Sequence, residues 1–142
     1  MSFGFETPKL VCGGTIRPSR FFKASGSADH TILESDANEA TLGIATDATR
    51  DAPQSGSSAN AGEDGDQMSV NMPGVVCKLY IGSGGITRGA FLKSDADGKG
   101  VAAATTGTTL QWVGALALES ASEDELASVL VLPPTPYRPA IA

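Results

Sequence analysis

The stretch KLYIGSGGITRGAFLK, residues Lys78–Lys93, repeats an earlier part of the chain, KLVCGGTIRPSRFFK at Lys9–Lys23. Both begin with Lys-Leu, contain a Gly-Gly pair and an Ile near an Arg, and end with an aromatic-containing run closed by Lys. Later segments match in the same order: LGIATDAT (42–49) with VGALALES (113–120), and MSVNMP (68–73) with ASVLVLP (127–133). These matches indicate two copies of one supersecondary unit. The alternative is that Gly-rich β sequences resemble one another by composition alone.

Short apolar runs between Gly, Pro, Asp and Ser residues recur at the spacing of strands in sandwiches and small barrels. They are SRFFKAS, HTILE, TLGIAT, QMSVNM, GVVCKLYI and LQWVGALALE. The segment SEDELASVLVLP (122–133) opens like a helix cap but continues as a β-branched run, and we interpret it mainly as a strand. The predicted fold is all-β: a compact antiparallel β-sandwich or small barrel built from two similar β units, with extended N- and C-terminal arms.

A chain of 142 residues is the size of one domain. Residues 1–14 are predicted to form an N-terminal arm and the first strand, and residues 15–133 the β domain. The polar, small-residue segment at about 51–65 is predicted to be a surface loop. Residues 134–142 are predicted to be an extended tail, because proline fixes φ and removes backbone donors.

The charge balance bears on possible partners. The chain has 10 basic and 16 acidic residues, a net charge of −6, and no cluster of Lys and Arg. Nucleic acid would be repelled on average. The first residues lack the features of a signal peptide, and no segment approaches the roughly 20 apolar residues that span a bilayer. We expect a protein made in a cytosol, with neither nucleic acid nor membrane as partner.

The stretch FLKSDADGKGVAAAT (Phe91–Thr105) superficially resembles a calcium loop. Aligned on its glycine, however, an EF-hand would have Lys93 at its first position and Ala104 at its twelfth, and neither is a ligand. Asp and Gly at this spacing instead predict the tight turn of a hairpin. Cys12 and Cys77 lack CxxC spacing and are predicted to be buried free thiols. No metal or other cofactor is expected.

Catalytic patterns are weak throughout the chain. His30 is the only histidine, and no GxSxG nucleophile elbow accompanies it. The segment GSGGITRG (82–89) lacks the GK[ST] of a P-loop. The consecutive acidic residues Glu123, Asp124 and Glu125 point to different faces, as in a solvated turn. No catalytic residues are assigned, and the protein is not predicted to be an enzyme.

The segment Gly84–Pro133 strongly resembles the capsid decoration proteins, also called head cement proteins, of tailed double-stranded DNA bacteriophages. The resemblance follows a pattern of the form G…I..G..L.SDADGK.V.AA, a Thr- and Gly-rich turn, and VG.AL..AS..….V.L.P. The matching positions include Gly85, Ile86, Gly89, Leu92, Ser94, Asp95, Asp97, Gly98, Lys99, Val101, Val113, Gly114, Ala117, Leu118, Ala121 and Ser122. Residues 15–32 are similar to the N-terminal half of the same family.

This resemblance implies a structural protein on the outer capsid surface of a virion, made in the bacterial host cytoplasm. It would bind the expanded capsid and stabilise contacts between subunits of the phage major capsid protein. It would also bind itself as a homo-oligomer, with a trimer favoured over a dimer. Apolar and aromatic residues of the arms are the candidate capsid or oligomer contacts: Phe3, Phe5, Leu10, Tyr137 and Arg138.

Two other functions stay open at this point. A virion-surface binding module for carbohydrate would use Trp112, the single tryptophan, as a stacking platform. The same residue in LQWVGALAL is also typical of a core position. An enzyme would have to be built on His30.

Overall fold

The computed structural model describes residues 10–47, 60–107 and 109–137. Within these ranges the chain forms ten strands and no helix. The described residues therefore contain no helix long and apolar enough to span a membrane. The prediction of an all-β fold is confirmed. The strands are β1 (Val11–Cys12), β2 (Phe21–Ala24), β3 (Thr31–Glu34), β4 (Gly43–Ala45), β5 (Val70–Asn71), β6 (Val76–Tyr80), β7 (Phe91–Ser94), β8 (Gly100–Ala102), β9 (Gln111–Ala117) and β10 (Leu126–Tyr137).

Four strands of each five-stranded sheet follow the same order. The first has the order β1-β3-β2-β4-β5 and the second β6-β10-β9-β7-β8, so β3-β2-β4-β5 recurs as β8-β7-β9-β10. The first strand of each unit also plays the same role. β1 runs parallel to β3, and its Val11 forms an antiparallel bridge with Gln67. Correspondingly, β6 runs antiparallel to β10, and Ile81, the residue after β6, forms a parallel bridge with Gly100 of β8. The predicted construction from two similar β units is therefore confirmed.

Two hydrophobic cores share the strands of the first unit. Side chains alternate between the faces of a strand, and in β2 this sends Phe22 into the core of the first unit and Phe21 into that of the second. In β4, Ala45 and Ile44 divide in the same way. All four side chains are completely buried. Because burial of a Phe or Ile side chain contributes about 1.5–3 kcal/mol, separating the units would be costly.

The turn Asp95–Lys99, which we name the clamp turn, joins the units through backbone groups. Phe21 N–H donates to the carbonyl of Gly98 at 2.8 Å. The carbonyl of Asp97 accepts hydrogen bonds from Arg17 Nη2 at 3.2 Å and Arg20 Nη1 at 2.9 Å. Gly98 is buried against this junction. The SDADG segment therefore has a structural role: it fastens the second unit to the first.

The two arginines of the clamp differ in environment. Arg17 pairs with Glu34 through two hydrogen bonds of 3.0 and 2.8 Å, which raise its pKa. Arg20 is 9% exposed and lies over the ring of Tyr80, with its guanidinium carbon 4.9 Å from the ring centroid. Burial lowers the pKa of Arg20. Each arginine thus contacts both a strand residue and the clamp turn, Arg17 through Glu34 of β3 and Arg20 through Tyr80 of β6.

The clamp turn is shaped by one carboxylate. Asp95 Oδ1 accepts hydrogen bonds from the backbone N–H groups of Asp97 at 2.8 Å and Lys99 at 2.9 Å. Gly98 follows with φ of +74°, in the region that glycine occupies at little cost. Strands β7 and β8 pair on either side. The predicted hairpin turn is confirmed. The carboxylate of Asp95, which resembled a calcium ligand in the sequence, instead accepts backbone hydrogen bonds within the turn.

Two predicted boundaries need correction. The segment predicted as a surface loop at about 51–65 is not exposed throughout, because Ala61 and Gly62 are buried, whereas Asp64 and Gly65 are exposed. Ala61 is 4% exposed and packs in the first core, and its N–H donates to the carbonyl of Ile16 at 2.8 Å. Residues 51–59 of that predicted loop lie outside the described residues, as do residues 1–9 of the predicted N-terminal segment at 1–14. At the other end, β10 does not stop at Pro133, because it pairs with β9 as far as Tyr137.

Candidate interaction surface

A transverse row of apolar side chains crosses the second sheet. Phe91 is the register partner of Leu116, Leu116 of Leu130, and Leu130 of Val76. Directly opposed residues on neighbouring strands place their side chains on the same face of a sheet. These four residues, which we call the apolar row, therefore lie side by side across β7, β9, β10 and β6.

The apolar row faces outward. Phe91 is 48% and Val76 59% exposed, and Leu116 and Leu130 between them are half-buried. The alternate residues on the same strands are buried in the second core, among them Leu92, Ala115, Val129 and Val131. Leu118 and Leu126, each 46% exposed, add to the exposed apolar surface of β10 and the end of β9. Contiguous exposed apolar surface of this kind usually marks a binding site.

A shallow groove adjoins one end of the row. The pairing of β9 with β10 shifts between Val131 and Thr135, and past this shift the ring of Tyr137 lies 6.3 Å from that of Phe91. The groove between them has a volume of about 150 Å³, and its lining is largely apolar; Val113, Leu132 and Thr135 complete it. It is large enough for a side chain rather than for a small-molecule ligand, whose sites are typically about 300–1,000 Å³.

Few charges border the row. Lys78 Nζ lies 3.3 Å from Glu119 Oε1, and the same oxygen accepts the Ser128 N–H at 2.8 Å. The hydrogen bond from Ser128, together with Lys78, lowers the pKa of Glu119. Lys93, two residues beyond Phe91 on β7, forms no ion pair with any described residue. Among the described residues of this surface, Lys93 is therefore a cation without a carboxylate partner.

The structure places two of the five predicted contact residues. Tyr137 belongs to this surface, whereas Leu10 is half-buried against the first core. Phe3, Phe5 and Arg138 lie outside the described residues. Sequence reasoning missed the apolar row. The apolar residues at alternate positions of GVVCKLYI and LQWVGALALE were the available signal, but their alignment depends on strand register.

The residues considered for chemistry are dispersed. His30 is a turn residue with φ of +53°, and Trp112 is half-buried opposite Pro136. Cys12 and Cys77 are free thiols, and burial raises the pKa of both, that of Cys77 to about 11. Among the described residues there is no group of three or more His, Cys, Asp or Glu side chains that could hold a metal ion.

The fold is similar to that of the N base of head fiber gp8.5 in bacteriophage phi29. The TM-score is 0.61, the sequences are 19% identical, and the alignment covers 87% of this chain and 90% of that chain. No protein-family model matches the chain. No curated protein matches it significantly in sequence. The structural likeness thus extends over most of both chains and establishes a shared fold.

Proposed function

We propose that this protein is a structural component of a phage virion. It binds the outer surface of the expanded capsid and stabilises contacts between major capsid protein subunits. The observation that carries the proposal is the fold shared with a phage head fiber base over 87% of the chain. The resemblance of residues 84–133 to head decoration proteins points to the same class of function through sequence.

The proposed mechanism uses binding free energy and no catalytic step. A protein that binds the expanded lattice more tightly than the unexpanded one shifts the equilibrium toward the expanded state. The net charge of −6 is consistent with a position outside the capsid, away from the packaged genome. We expect a homo-oligomer, a trimer in preference to a dimer, because several weak contacts to one lattice then act together.

Co-sedimentation with phage heads tests this function. The purified protein is mixed with expanded heads, and separately with unexpanded proheads, of the phage that carries its gene. Copies bound per capsid subunit are counted over a range of protein concentrations. We expect saturable binding to expanded heads, a fixed stoichiometry, and much weaker binding to proheads.

Head stability supplies an independent readout. Heads saturated with the protein should release their DNA at a higher temperature than bare heads, since a ligand that binds only the assembled state stabilises it. A folded protein that binds neither form of the head would contradict the proposal. Equal affinity for both forms would contradict its state-selective mechanism.

A further inference from the structure

The exposed apolar row has a buried counterpart in the first unit. Strands β2 and β7 occupy equivalent places in the two sheets. Phe21 pairs with Ile44 as Phe91 pairs with Leu116. Phe21 and Ile44 are completely buried because they pack into the core of the second unit. Phe91, in contrast, is 48% exposed. The two units therefore carry equivalent apolar surfaces. Among the described residues, the surface of the first unit is completely buried and that of the second unit is not.

We infer that the apolar row is a docking site for a second protein, and that this protein is the major capsid protein. The inference rests on the function proposed above and names the surface that performs it. The contact between the two units of this chain shows how such docking works. Phe21 and Ile44, an apolar pair on the first sheet, pack into the hydrophobic core of the second unit.

A second copy of the chain cannot bind the apolar row in the same way. Phe21 and Ile44 pack into the core of the second unit, around Leu79, Ile81 and Val129. In every other copy, that copy's own Phe21 and Ile44 already occupy this position. A capsid lattice presents many copies of one site, so an oligomer of this chain can make several such contacts at once.

The partner must bind through side chains at this part of the sheet. β10 pairs with β6 only as far as Leu130. Along its continuation the chain carries Pro133, Pro134 and Pro136, which lack the N–H that a strand added to this edge would need. An incoming strand is therefore disfavoured there, and the apolar row and the Phe91–Tyr137 groove remain as the docking features.

The charged residues beside the apolar row indicate what kind of partner surface would fit it. Lys78 is already paired with Glu119. Lys93 lies on the same face as Phe91, since the two are separated by one residue of β7. Its ammonium group has no carboxylate partner among the described residues. The capsid surface that fits is an apolar strip with a carboxylate at its rim.

Binding of single-residue variants to expanded heads tests this assignment. Val76→Ser and Phe91→Ser each remove an exposed apolar side chain from the row. Leu110→Ser is the matched control, because Leu110 is 53% exposed and lies outside the row. We expect Leu110→Ser to bind like the unsubstituted protein, and the two row variants to raise the Kd about tenfold or more. Lys93→Glu should also weaken binding, with an effect that shrinks as salt is added.

Each result has a distinct meaning. If the unsubstituted protein does not bind heads, the proposed function fails and the docking site fails with it. If it binds, but the row variants bind with the same affinity, the docking site alone is refuted. If Val76→Ser instead lowers the molar mass measured by sedimentation equilibrium, the row joins copies of this chain and the capsid assignment is overturned. Unchanged urea midpoints verify that the variants are folded.

Discussion

Replacing Gly98 by alanine should weaken the joint between the two units. The φ of +74° costs a non-glycine residue about 1–2 kcal/mol. An added Cβ would also lie 3.1 Å from Glu34 Cγ and 3.2 Å from both Arg20 Cβ and the Phe21 carbonyl oxygen. The Phe21 backbone cannot retreat without stretching its 2.8 Å hydrogen bond to the Gly98 carbonyl. Overpacking of this kind costs about 1–3 kcal/mol, for a total loss of about 2–5 kcal/mol.

Gly89→Ala separates the two contributions. Gly89 has a similar φ of +83°, but beyond its two chain neighbours no residue has an atom within 4 Å of the position its Cβ would take. This variant should therefore lose only the conformational part, about 1–2 kcal/mol. The additional loss in Gly98→Ala measures how tightly the clamp turn is packed against the first unit.

Urea unfolding followed by the fluorescence of Trp112, the only tryptophan, measures both variants. Thermal unfolding should show the same order, at about 4 °C per kcal/mol for a domain of this size. Equal losses for Gly98→Ala and Gly89→Ala would refute the reasoning, because the clamp turn would then tolerate a side chain as readily as an open surface turn does.

Two further predictions concern the turn and the thiols. Asp95→Ala removes the acceptor of two backbone N–H groups and should cost about 1–2 kcal/mol in urea unfolding. Asp97→Ala, the matched control, should cost less than about 1 kcal/mol, because the arginines bind the Asp97 carbonyl and its side chain is 62% exposed; equal losses would contradict the assigned role of Asp95. In a Cys12→Ala background, Cys77 should react with a thiol reagent at pH 8 about 100-fold more slowly than an ordinary thiol, because a pKa of about 11 leaves little thiolate. A rate similar to that of free cysteine would show that the thiol is not desolvated as described.

The strands and the hairpin turn could be predicted because their signals are local. Apolar runs between turn residues define strands, and Asp and Gly define the turn at 95–99, whatever the rest of the chain does. The end of β10 was harder to predict. Pro133, Pro134 and Pro136 suggested a free tail, yet proline is compatible with a strand whose other edge is open. The burial of Ala61 depends on pairing with the distant Ile16 and has no local signal.

The candidate surface was less predictable than the fold. Tyr137 was predicted as a contact residue from its place in the proline-rich segment, and the structure places it beside Phe91. Phe91 and Val76, the most exposed members of the apolar row, come together only through the registers of β7, β9, β10 and β6. A register change of one residue would send each of them to the opposite face. The dual role of β2, which supplies both cores, likewise depends on how the units pack.

The division of Phe21 and Phe22 between the two cores also has a consequence for synthesis. Phe21 and Ile44 leave the ribosome before the strands that will bury them. At about 5–20 residues per second, the chain between β4 and β10 takes several seconds to make. During that interval the nascent first unit exposes an apolar surface that only its own second half can cover. The yield of folded protein should therefore fall when translation pauses between β5 and β9, and chaperones that hold nascent chains should restore it.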